Sequence, residues 1–136
     1  MCNNCNNDNS CISEILQVIL MLQENAGGCG DACLETCDRA FLGCGITCCS
    51  CNTRPIQLYT CCLGNTPLSF PISKTIGETI TSSVFRIEKL DGNCATFRVL
   101  DVNEDNSLSS TNSFFTINLN CVCSLRCLND TFIDSI

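Results

Sequence analysis

Between Ile12 and Leu22 the apolar residues Ile12, Ile15, Leu16, Ile19 and Leu22 recur at three- and four-residue intervals, the period of one helix face. Val18, Leu20 and Met21 widen that face beyond a narrow stripe, as in a helix that is well buried or shared with a neighbouring copy. Asn25-Ala26-Gly27-Gly28 follows as a terminator, so a helix is predicted over residues 11–24. Beyond Asn52 the period changes to two. Residues 55–60, PIQLYT, alternate, and SSVFRIEKL, Asp91-Gly92-Asn93 and CATFRVL read as a β-hairpin with a short turn. In it Phe85 and Ile87 face one side, as do Ala95, Phe97 and Val99. Residues 101–113, rich in Asn, Asp and Ser, are expected to form an exposed loop. FFTINLNCVCSL then alternates again, with Phe115, Ile117, Leu119, Cys121, Cys123 and Leu125 on one face. A half-buried strand is predicted there. It would turn Cys121 and Cys123 inward together and leave Cys127 beyond the regular strand.

These elements predict a mainly β chain: a small antiparallel β-sandwich body, one N-terminal helix and a cysteine-rich connector. The organisation expected is an arm, helix and connector over 1–51 and a β-rich assembly domain over 52–136. Residues 2–9, CNNCNNDN, are polar and low in complexity and are expected to be a mobile arm. Cys29, Cys33 and Cys37, spaced by four, would line one face of a short helix over residues 31–41.

Composition narrows the chemistry. The chain has 136 residues and 16 cysteines, no histidine and no tryptophan, with 45 % hydrophobic and 15 % charged residues. The hydrophobic fraction excludes disorder of the whole chain, and the absence of histidine excludes imidazole catalysis. A net charge of −7 without a Lys/Arg cluster argues against a nucleic-acid partner. Ile15 to Leu22, the longest apolar stretch, is interrupted by Gln17 and is far short of the ~20 residues that span a bilayer. No membrane insertion is expected. MCNNCNNDNSC has neither a basic nor an apolar segment of a secretory signal, so synthesis in a reducing cytoplasm is expected, with thiols reduced, metal-bound or oxidised later.

Twelve cysteines lie in the first 62 residues: Cys2, Cys5, Cys11, Cys29, Cys33, Cys37, Cys44, Cys48, Cys49, Cys51, Cys61 and Cys62. Cys94, Cys121, Cys123 and Cys127 lie in the body. Four readings compete for them. Complete internal pairing allows on the order of two million connectivities, and eight bridges exceed what a body with a good β core needs. Adjacent Cys48-Cys49 and Cys61-Cys62 are poorly placed to bond to each other, because neighbouring Cα atoms are closer than a preferred disulfide allows. One thiol of each pair can serve the body and the other a neighbour, although two ordinary internal bridges leaving one segment satisfy the spacing too. A zinc module built on thiolates needs no histidine, but no two Cys-x2-Cys knuckles stand at ribbon-like separation. Catalysis is disfavoured without a histidine base, although Arg126, close to Cys123 and Cys127, is a cation that could lower a thiol pKa. Catalytic, cofactor-binding and metal-binding residues are therefore not assigned. The fourth reading, cross-linking between copies, accommodates the low charge, the apolar helix, the cysteine-dense flank and the missing signal together. The twelve N-terminal cysteines are its candidates. The alternatives are the zinc-binding module and a secreted, internally bonded binding domain.

FRIEKLDGNCATFRVL, NTRPIQLYT and INLNCVCSLRCL resemble the corresponding segments of the CotY/ExsY/CotZ family of cysteine-rich spore coat and exosporium proteins, in the same order. CISEILQVILMLQEN occupies the place of that family's N-terminal helix. The resemblance covers most of the chain from Cys11 onward. Cys94, Cys121, Cys123 and Cys127 match the family's pattern, as do Cys33 and Cys37 before FLG. The dense group Cys44, Cys48, Cys49 and Cys51 and the CNNCNN arm depart from it. The resemblance implies a structural protein made in the mother-cell cytoplasm and placed on the spore surface. It implies self-association into a hexagonal, disulfide-linked lattice, with other cysteine-rich coat proteins and surface-attached spore proteins as partners.

Overall fold

The computed structural model describes residues 11–25 and 51–136. The predicted arm, the helix over 31–41 and Cys2, Cys5, Cys29, Cys33, Cys37, Cys44, Cys48 and Cys49 lie outside the described residues. Within them the chain is mainly β with one N-terminal helix, as the periodicities predict. The elements are α1 (Cys11–Glu24), β1 (Ile56–Thr60), β2 (Phe70–Pro71), β3 (Thr81–Ser82), β4 (Val84–Asp91), β5 (Cys94–Val102), β6 (Leu108–Asn118), the 3-10 turn Leu119–Cys121 and β7 (Val122–Cys127). A five-stranded sheet in the order β6-β5-β4-β1-β7 stands beside a two-stranded β2-β3 sheet, and all the pairings are antiparallel.

The five strands do not lie flat. β1 joins β4 at a single pair, Ile56 with Phe85, whereas it pairs along its whole length with β7. In a flat sheet Thr60, which pairs with Val122, and Asn118, which pairs with Cys94, would lie on the order of 30 Å apart. The four steps from Asn118 to Val122 reach at most ~14 Å. The β1-β7 ribbon must therefore fold across the face of β4-β5-β6, which gives the two layers of a sandwich. Leu58, Val122 and Leu125 accordingly share one core with Ile87, Ala95, Phe97 and Ile117. Phe70 of β2 stacks on Phe115 at 4.0 Å, and Phe85 stands edge-on to Phe115 at 4.7 Å. The inward positions predicted for the hairpin, Phe85, Ile87, Ala95, Phe97 and Val99, are all fully buried.

Helix α1 lays Leu16 and Ile19 into the same core and leaves Met21 exposed. Gln23 continues the 16, 19, 23 stripe and is buried, although polar. Its amide supplies two bonds that fix the helix to the body: Nε2 donates to Ile87 O at 2.9 Å, and Oε1 accepts from Arg54 N–H at 3.1 Å. Burial of such a group is tolerated because both its ends are satisfied. Arg54 is buried as well, its guanidinium forked onto Asp130 through Nε at 2.9 Å and Nη2 at 3.1 Å. This ties the start of the body to the chain after β7. On the outer face of the sheet Val84, Leu100 and Ile133 form a smaller core, and Glu88 bridges Arg86 and Arg98 at 2.8 and 3.0 Å.

Two expectations are corrected. The hairpin forms with Gly92 at φ 60° in its two-residue turn, but the polar stretch after it is not a loop throughout. β5 runs on to Val102 and β6 begins at Leu108. The loop proper is closed by Asn103 N–H on Ser107 O, by Asp105 accepting from the Ser107 amide and hydroxyl, and by Asn106 at φ 68°. Those Ser107 bonds hold the Asp105 carboxyl below its ordinary pKa. Ser109, Ser110 and Thr111 are polar yet extended because β6 is an edge strand whose positions need not all be apolar.

The second correction concerns FFTINLNCVCSL, which is not one strand. Asn118 Oδ1 accepts from Asn120 N–H at 3.0 Å and caps the 3-10 turn, so the chain leaves the β6 edge and returns as β7 on the far side. Tyr59 pairs with Ser124 and Thr60 with Val122, which makes Cys123 the extra residue of a bulge. Val122 then turns inward and Cys123 outward, because a bulge reverses the alternation. Cys121 is half-buried in the turn. Cys127 is not beyond the strand. It ends β7 opposite Ile56, against the core.

Candidate functional site

The core closes on aliphatic and phenylalanine side chains, and among the described residues no cysteine is buried. Eight cysteines belong to these residues. Cys61 and Cys123 form a disulfide with Cα atoms 5.4 Å apart. Cys127 is also disulfide-bonded. Cys11, Cys62 and Cys94 are exposed free thiols, Cys121 is a half-buried one, and Cys51 is half-buried just before the Thr53–Thr131 bridge.

Topology gathers five of these residues at one end of the sandwich. Cys94 opens β5 directly after the Gly92-Asn93 turn and pairs with Asn118, the last residue of β6. Leu119 N–H donates to Asn93 O at 2.7 Å, which docks the 3-10 turn ending in Cys121 against that hairpin. Val122 pairs with Thr60, so Cys61 and Cys62 leave β1 beside the same turn. Gly64 at φ 64° and the bond from Leu63 N–H to Thr60 O shape the exposed turn that carries them. A left-handed conformation there suits a residue without Cβ.

The sequence reading named every one of these cysteines but not their grouping. Cys61, a cross-link candidate, is bridged within the chain to Cys123, and its neighbour Cys62 is free. Cys11 begins α1 as expected and is exposed. Arg126, considered as an activator of thiols, donates instead to Gln57 Oε1 at 2.8 Å. Gln23, Arg54 and Asp130, which hold helix, body and tail together, were not singled out. Gln23 carried a signal, since it stands four residues beyond Ile19 on the buried stripe. Among the described residues no group of three or more Cys, Asp or Glu is placed to hold a metal ion, and no helix there is long and apolar enough to cross a membrane.

Such an arrangement can make and exchange disulfides at one end without disturbing the core. The chain matches no curated protein and no solved structure. The family model described as Spore coat protein Z matches residues 1–113, from the CNNCNN arm to Ser113 in β6. That family consists of structural proteins of the spore coat, at the spore surface. The match covers well over half of the chain, and the chain therefore belongs to the spore coat protein Z family.

Proposed function

We propose that this chain is a self-assembling subunit of the spore surface, in coat or exosporium, which associates into a two-dimensional lattice and is then locked by disulfides between copies. The observation that carries the proposal is the exposure of the free thiols of Cys11, Cys62 and Cys94 on a body whose core closes without them. Thiols that contribute nothing to the core are available to neighbours. The β6 edge supports association before bonding. Its eleven residues, LSSTNSFFTIN, carry no charge and no proline, and among the described residues β6 pairs only with β5. Edges that avoid pairing are usually charged, short or covered. A second copy adding to this edge meets no charged side chain of β6 itself.

In this account the chain is made in the mother-cell cytoplasm and reaches the forespore surface with reduced thiols. Oxidation follows as reducing power fails. The finished sheet acts as a barrier and as a scaffold for other cysteine-rich coat proteins.

Purified protein examined by electron microscopy and sedimentation tests the proposal. Under oxidising conditions ordered assemblies are expected that withstand denaturant and disperse when a thiol reductant is added with it. A soluble monomer under both oxidising and reducing conditions would overturn it, as would stoichiometric zinc bound in place of disulfides.

A further inference from the structure

The bridge between Cys61 and Cys123 differs from an ordinary structural disulfide in its surroundings. Both of its residues are exposed. Cys61 lies in a surface turn, with the exposed free thiol of Cys62 as its immediate neighbour, and Cys123 is the outward residue of a bulge, two positions from the free thiol of Cys121. The core is complete without it. Exposed disulfides with access to thiols are the ones that exchange, whereas structural bridges resist.

We propose that the Cys61–Cys123 disulfide is the electrophile of assembly, opened by an exposed thiolate, Cys62 or Cys94, of a second copy of this chain. The inference rests on the cross-linking reading above and gives it a chemical route. The attacking thiol loses its proton to solvent, and its sulfur bonds to Cys123 Sγ. The Cys61–Cys123 bond breaks, its electron pair leaves on Cys61 Sγ, and that sulfur takes a proton. Attack at Cys61 balances in the same way, with Cys123 as the leaving thiolate. One disulfide is consumed and one is formed, so no oxidant is needed. An internal bridge has become a bond between copies. The released Cys61 thiol, next to Cys62, is placed to open the bridge of the next copy, so linkage propagates from subunit to subunit while the number of thiols stays constant. Attack by Cys62 on its own neighbour Cys61 is disfavoured by the short Cα separation of adjacent residues, which leaves Cys62 available to another chain.

The test uses the full chain, purified with the Cys61–Cys123 bridge intact by peptide mapping and then held without oxygen in the presence of a chelator. Exchange predicts covalent multimers on non-reducing electrophoresis, an unchanged number of free thiols per chain, and linked peptides that contain Cys61 or Cys123. Prior alkylation with N-ethylmaleimide abolishes the multimers. The double variant Cys61→Ser/Cys123→Ser loses anaerobic cross-linking and still cross-links in air. If that variant does not fold, the linked peptides of the wild-type chain decide the matter. Absence of anaerobic multimers, or multimers joined only through other cysteines, would overturn exchange. Ordered, linked assemblies that appear in air but not without oxygen would sink this inference and leave the proposed function standing, and a monomer under both conditions would sink both.

Discussion

Replacing Phe85 by alanine is expected to lower the stability of the body by about 3–5 kcal/mol. The ring is fully buried and lies 4.7 Å from Phe115, 6.2 Å from Phe70 and 6.3 Å from Phe97, centroid to centroid. These neighbours sit on β6, β2 and β5, and Phe85 itself stands where Ile56 joins the two layers. No single element can move to fill the space that truncation leaves. A domain is stable by only about 5–15 kcal/mol in total, so the variant would lose a large share. Urea unfolding in the presence of reductant, followed by circular dichroism, measures the loss against the reduced wild-type chain. Phe114→Ala is the matched control. That ring is 42 % exposed on the other face, beneath Arg98 at 4.5 Å, and its loss should cost no more than about 1 kcal/mol. Equal effects of the two variants would contradict the core described above.

Asp130→Asn is expected to cost a similar amount, about 3–5 kcal/mol, by a different mechanism. The side chains of Arg54 and Asp130 are each only 2 % exposed, and the carboxylate takes two bonds from the guanidinium. The asparagine keeps the shape but removes the charge that compensates a buried cation. The opposite control is a double change to apolar residues, Arg54→Met/Asp130→Leu. It removes both charges at once and should recover most of the loss, because buried ion pairs contribute little over a well-packed apolar substitute. The same unfolding assay reads both variants. If Asp130→Asn left the midpoint unchanged, the pair would not be holding the tail to the body.

How much of this was legible in the sequence follows from which rule each residue obeys. The helix, the hairpin and β1 were legible because their buried positions keep a strict period, Leu16 and Ile19 in one case and Phe85, Ile87, Ala95, Phe97 and Val99 in another. The break at Asn118 was not, because Leu119 and Cys121 preserve the apparent alternation through the 3-10 turn and only the bulge at Cys123 reverses it. A single capping amide and one extra residue leave no trace in a period-two pattern. The polar part of β6 was hidden for a related reason, since Ser109 to Thr111 look like loop residues unless the strand is known to be an edge. The pairing of Cys61 with Cys123 was out of reach as well. It depends on the β1-β7 ribbon, and the segments involved are 62 residues apart. Their candidacy as thiols was legible from residue type alone, and their grouping at one end required the topology.

The central claim, that cysteines of this chain bond between copies, is tested most directly by mixing unlabelled protein with uniformly 15N-labelled protein, allowing assembly under oxidising conditions, and mapping disulfide-linked peptides without reduction by mass spectrometry. The account predicts linked peptides of mixed isotope, in which Cys62, Cys94 or Cys11 of one copy is bonded to a second copy. Linked peptides in which both halves always carry the same isotope, so that every bridge lies within one chain, would contradict it.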